Sequence, residues 1–164
     1  MGTSDSSSTG TATTIDLLAA FLDEHRDLLA ASLDGLTEDE ARRRLVPSRT
    51  TLLGLVKHAT FVERVWFEEA RTGTPRRALG LPENAGHSFV LEPADTIASI
   101  RAAHRAACQA SQTVIADLSG EEIWSGNRRG PLPVPWILLH VLRELAQHAG
   151  HADILREQIL AARR

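Results

Sequence analysis

Cys108 is the only cysteine among the 164 residues, so no internal disulfide can form and nothing in the chain asks for an oxidising compartment. It falls within a helical pattern beside Ala107 and near Ser111. With no partner to activate it, it reads as a small core residue rather than a nucleophile. Long hydrophobic runs are missing as well. None approaches the ~20 residues that cross a bilayer, so a membrane is not an expected partner. Lysine is reduced to Lys57, and the 18 basic side chains face 21 acidic ones, for a net charge of -3. They are scattered rather than gathered into a strip, which argues against nucleic acid as a partner. The first fourteen residues, MGTSDSSSTGTATT, lack the charged start and apolar middle of a secretory signal. Residues 1–14 are therefore expected to form a disordered tail, and the protein to be soluble and cytoplasmic.

What remains is a chain of ordinary globular composition, 43% hydrophobic, long enough for one domain over residues 15–164. Ile15, Leu18, Leu22, Leu29 and Leu33 recur at helical spacing and predict a first helix. Thr37 and Glu40 form a capping-box pattern that opens a short helix running to about Arg44. A second long helix is expected over roughly Thr50 to Arg71, ended by Gly73 and Pro75. The segment from Thr72 to Glu92 holds three glycines and two prolines and no clear period, so it reads as a crossover connection. A third long helix is predicted from about Ala94 to Leu118, with Pro93 near its first turn. The last covers roughly Val134 to Ala161, with Pro135 tolerated at its start. No alternating run argues for a sheet. The expected fold is all-α, a four-helix bundle with a long crossover loop.

Glu144, His148 and His151 lie at i, i+4 and i+7 of the last helix, in line with Ile137, Val141 and Leu155, which predicts that all three are buried. Each would cost free energy to desolvate alone, whereas a shared cation would satisfy them together. His140 lies one further i, i+4 step before Glu144. The helix therefore offers four candidates where a site needs two or three, and spacing does not choose among them. His58 shares the face of Leu55, Val62 and Val65 and also points inward. Three ligands of N, N and O type leave an open position for water or substrate, as catalytic sites require. The plainer alternative pairs Glu144 with a nearby arginine and lets the histidines fill the core. The zinc-protease pattern is absent, since Arg143 precedes Glu144. His25 and His104 are secondary candidates for the same cavity. Arg128 and Arg129, in the loop before the last helix, are candidates to hold a substrate carboxylate. Trp66, Trp124 and Trp136 read as core or cavity wall.

The runs TTLLGLVKHATFVERVWF (50–67) and WILLHVLRELAQHAGHADILRE (136–157) resemble the DinB/YfiT-like superfamily of metal-binding four-helix bundles. They are most similar to its actinobacterial branch related to mycothiol-dependent maleylpyruvate isomerase. That superfamily takes one metal ligand from the second long helix and two, four residues apart, from the last. Matching its usual H-x-G-Q ending to His148-Ala149-Gly150-His151 makes His148 the final ligand, Glu144 the one before it, and His58 the ligand of the earlier helix. Many members carry histidine where this chain has Glu144, and the mycothiol-dependent branch carries glutamate, so the departure favours that branch. His151 stands where glutamine is usual and moves to an outer position, behind a ligand or facing substrate. His140 matches a histidine frequent in the motif and reads as structural.

The resemblance implies a divalent cation, zinc first, with nickel, iron and manganese as alternatives. It also implies a small-molecule substrate, mycothiol as cosubstrate, and thiol transfer or thiol-assisted isomerisation through a metal-bound thiolate or water, with hydrolysis the simpler variant. The rival readings are a metal-binding sensor or interaction bundle without turnover, and a metal-free structural bundle. Homodimers occur among family members, although no exposed stripe in this sequence demands one.

Overall fold

Threonines start four of the helices. In the computed structural model, which describes residues 12–163, Thr13 accepts from the Asp16 N–H while the Asp16 carboxylate takes the Thr13 N–H, opening α1 (Thr14–Ala31). Thr37 and Glu40 form the predicted capping box before α2 (Glu38–Ala41). Thr51 caps α3 (Leu52–Arg64) through the Gly54 N–H. Thr96 and Ser99 open α5 (Ile97–Ala116). Its start lies later than Ala94 because the Asp95 carboxylate is taken by the Glu92 N–H and by Lys57, which holds the preceding residues in a turn. Unlike these, α6 (Val134–Ala161) begins with Pro135 in its first turn, where a missing N–H breaks no helical bond. The expected disordered tail, residues 1–14, falls almost wholly outside the described residues, and at its end Thr13 and Thr14 instead cap and begin α1.

The chain forms the expected all-α bundle. α1 packs against α5 and α6, and α3 packs against the same two, so the four long helices close a ring around one core. Leu22, Leu29, Leu55, Val56, Ile137, Val141 and Leu145 have no exposed surface at its centre. Across that ring Arg26 of α1 meets Glu63 of α3 in a two-pronged pair, Nε to Oε1 and Nη2 to Oε2, both 2.8 Å. Among the described residues no helix is long and apolar enough to cross a membrane.

Two features depart from the sequence reading. The second long helix does continue to Thr72, but Val65–Glu69 is a π turn leading into α4 (Ala70–Thr72). The wider turn lets Val65, Trp66, Phe67 and Glu69 all be buried, which a regular helix with one inward stripe would not permit. The second departure is a small ribbon, β1 (Ile123–Trp124) paired antiparallel with β2 (Leu132–Pro133), in a loop expected to hold no strand. Gly126 in that loop donates its N–H to the Ala70 carbonyl at 2.9 Å. A Cβ there would overlap the Glu69 carbonyl and the Gly73 backbone, so glycine is what allows the ribbon to close on α4.

Candidate functional site

Helical periodicity brings the central cluster together from two elements. His58 sits two turns into α3 and is 5% exposed, while Glu144 and His148 are adjacent along α6, His148 being 8% exposed. One donor atom from each of His58, Glu144 and His148 lies within 4.8 Å of the others. His148 Nε2 is 3.6 Å from Glu144 Oε2, longer than a hydrogen bond. The His58 and His148 rings meet edge to face with centroids 4.7 Å apart. Phe89, from the 3-10 turn Ala85–Phe89 in the crossover, stacks on His58 at 3.9 Å.

The electrostatics suit cation binding. Burial, with the neighbouring His148 second, pushes the His58 imidazole down from its ordinary 6.5 to about 4, so it is neutral and carries a lone pair near pH 7. Glu144 is held down at about 2, chiefly by the adjacent His148 imidazole and then by His140, against a burial effect that opposes them. The set is thus two imidazole nitrogens and one carboxylate oxygen. Donors held ~2.1 Å from one tetrahedral cation lie about 3.4 Å apart, so the present separations of up to 4.8 Å would close by about 1.4 Å at most. Among the described residues, the one fully buried side-chain polar atom without a hydrogen-bond partner is His148 Nδ1. An uncompensated polar atom at this point is an observation that a purely structural cluster does not account for.

These shifts give a pH signature in metal-free protein. Between pH 6.5 and about 4 the unfolded chain binds a proton at His58 that the folded chain does not, so stability falls as pH drops through that window, by on the order of 3 kcal/mol. Burial lowers His104 and His140 as well, adding in the same direction. Glu144 has the opposite charge but also loses its stabilisation on acidification, over a lower window from 4.5 to about 2. Thermal melts of chelator-treated protein should therefore decline in two successive stages, and His58→Gln should flatten the first. A melting temperature constant from pH 6.5 to 4 would contradict this assignment.

The other candidates are placed differently. His140 is buried between Trp66 and Trp136, with centroids at 4.5 and 5.0 Å. Its Nδ1 accepts from Arg143 Nη2 at 2.8 Å. The ring proton is then on Nε2, so the atom 3.9 Å from Glu144 presents a hydrogen rather than a lone pair. His151 is exposed, contrary to the expectation that it shares the buried face. At about 100° per residue it lies about 60° around the helix from His148, beyond the edge of the stripe. It still reaches the site's rim, its ring centroid 5.7 Å from that of His148. His25 donates to the Phe21 carbonyl on its own helix. His104 is buried beside Cys108 in a different layer, where burial pushes the thiol up to about 12. Arg128 pairs with Glu83, and Arg129 lies over the Trp136 ring. Trp124 packs on Phe67 within the core.

Two adjoining depressions, sharing Ser48 and Thr50, reach the cluster's rim. One, about 340 Å³, is mostly apolar and is walled by Val46, His151, Ile154 and Leu155. The other, about 460 Å³, is lined by Arg49, Asn84, His87 and Phe89. A larger cavity of about 760 Å³ lies against the start of α1 and the 118–121 loop, and shares no residue with the cluster. Sequence reading missed Ser88 and Phe89, which touch His58 from the crossover. That segment has no period to mark which residues face inward.

No curated protein matches the chain. The sequence pattern of the family described as Mycothiol-S-transferase does match, over residues 17–161. That range spans the whole bundle, including both helices that supply the cluster, and the chain belongs to the mycothiol-S-transferase family.

Proposed function

We propose that this chain is a metal-dependent transferase of a low-molecular-weight thiol, with His58, Glu144 and His148 holding a divalent cation, zinc first. The observation that carries this reading is the cluster of two buried imidazoles and a half-buried carboxylate, drawn from two helices of a mycothiol-S-transferase family member. When bound, the cation would supply the Lewis-acid charge that brings a thiol's ionisation close to neutral pH.

The chain's own residues do the rest. His58 and His148 offer ring nitrogens, Glu144 supplies one negative charge, and three donors leave one side of the site open to a substrate. Phe89 covers His58 and keeps water from that face. The thiol's polar body fits the half of the groove bearing Arg49, Asn84 and His87. The electrophile's apolar part fits the half bearing Val46, Ile154 and Leu155. His151 stands on the wall between the apolar half and His148, placed to take the thiol proton on a ring nitrogen as the sulfur–carbon bond forms and the carbon's leaving group, a halide ion for an aryl halide, departs with its electron pair.

The purified protein should accelerate the reaction of mycothiol with a chromogenic aryl halide. Dialysis against chelator should abolish the acceleration, and one equivalent of zinc should restore it. Turnover that survives complete metal removal would overturn the metal-dependent reading. Turnover with glutathione or cysteine but not mycothiol would overturn the thiol assignment.

A further inference from the structure

The crossover between α4 and α5 is clamped onto α3 at the level of His58. Lys57 Nζ donates to the Val90 carbonyl at 2.8 Å and pairs with Asp95 at 2.7 Å. Beside it the Phe89 carbonyl comes so near α3 that a Cβ on Gly54 would stand 2.7 Å from its oxygen. This close approach brings Ser88, 2% exposed, against the imidazole, with Ser88 Oγ 2.7 Å from His58 Nδ1.

The direction of that hydrogen bond follows from counting protons. A serine hydroxyl has one hydrogen to donate and two lone pairs. Ser88 Oγ also lies 2.6 Å from the Ala85 carbonyl oxygen, and a carbonyl only accepts. The hydroxyl hydrogen is therefore spent on Ala85, and Ser88 can meet His58 only as an acceptor. His58 must then carry its proton on Nδ1, because the bond made by one ring nitrogen sets the state of the other. Nε2 is left with the lone pair.

We propose that Ser88 is the positioning residue of this site: it holds His58 as the Nδ1–H tautomer, so that Nε2 is presented to Glu144, His148 and a divalent cation. The inference rests on the reading of His58, Glu144 and His148 as ligands, and adds a residue from a third segment of the chain. His148 has no equivalent support, since its buried Nδ1 lacks a partner. The crossover thus acts on one of the two imidazoles, through the chain Ala85 carbonyl, Ser88 hydroxyl, His58 ring.

The test compares the unaltered protein with Ser88→Ala, which removes the acceptor, and Ser88→Thr, which restores a hydroxyl. Nitrogen-15 spectra of histidine-labelled, chelator-treated protein should show His58 protonated on Nδ1 in the unaltered chain and in Ser88→Thr. Ser88→Ala should show the Nε2–H form or a mixture. Zinc affinity, titrated calorimetrically, should fall roughly 10–100-fold in Ser88→Ala and recover in Ser88→Thr. An Nε2–H tautomer in the unaltered chain overturns the proposal, as does unchanged tautomer and zinc affinity in Ser88→Ala. An unaltered chain that binds no zinc overturns the metal reading itself, and the positioning role with it. Normal zinc binding with an indifferent Ser88→Ala overturns the positioning role alone.

Discussion

Zinc should bind His58→Ala and His148→Ala roughly 100- to 1,000-fold more weakly than the unaltered chain, and thiol transfer should disappear with it. Zinc sites in small metal-folded peptides are worth ~10–16 kcal/mol over four ligands. One ligand is therefore worth roughly 2.5–4 kcal/mol, or about two to three orders of magnitude in affinity. Glu144→Gln should fall in the same range, because it keeps the shape of the side chain and removes the set's negative charge. The informative controls are neighbouring histidines on α6. His140→Ala should bind zinc normally and melt at a lower temperature, since its ring is packed between Trp66 and Trp136 and its Nδ1 is taken by Arg143. His151→Ala should also retain the metal while slowing transfer, since it lies at the rim. Plasma mass spectrometry of metal per chain reads all five variants. Loss of zinc in His140→Ala with retention in His148→Ala would replace the donor set.

Glu63→Ala should lower stability by about 3–5 kcal/mol, the usual result of stranding one member of a buried ion pair. Glu63 is wholly buried and Arg26 is 3% exposed, so the guanidinium left behind has little water to turn to. Asp23, which accepts from Arg26 Nη1 at 2.7 Å, is the remaining partner and is itself half-exposed. A guanidinium keeps its proton at any pH the fold survives, so neutralising the arginine offers no escape. For a chain of this size each kcal/mol moves the melting temperature by about 2–4 °C, so a fall of roughly 6–20 °C is expected. The double variant Arg26→Met, Glu63→Leu should recover most of the loss, because two apolar side chains need no desolvation. A fall of less than about 3 °C in Glu63→Ala would show that the pair is not held as described.

The inward facing of His58, Glu144 and His148 was legible because helical periodicity is local. A residue's angle about its own helix follows from its distance to the apolar neighbours one and two turns away. The limits of α6 were readable for the same reason, with Pro135 marking the start. Where the stripe ends was less so. His151 falls on the expected line at its edge, and how far the groove between neighbouring helices covers that edge is not a property of α6. The π turn at Val65–Glu69 escaped too, since Val65, Trp66 and Phe67 are all apolar and fit a regular helix equally well until each must find a separate partner. The two-residue strands of the ribbon are too short to show alternation.

Alone, the sequence determined a bundle of four long helices and which titratable side chains interrupt their apolar faces. Its motifs also pointed to the family. Only the tertiary structure decided that His58 meets Glu144 and His148, that His140 spends its lone pair on Arg143, that Ser88 reaches His58 from 30 residues away, and that Arg26 finds Glu63 across 37. The physical reason is range. The helical period is set within a turn or two of backbone, whereas the meeting of two helices depends on how the whole core packs, which no short stretch of residues encodes.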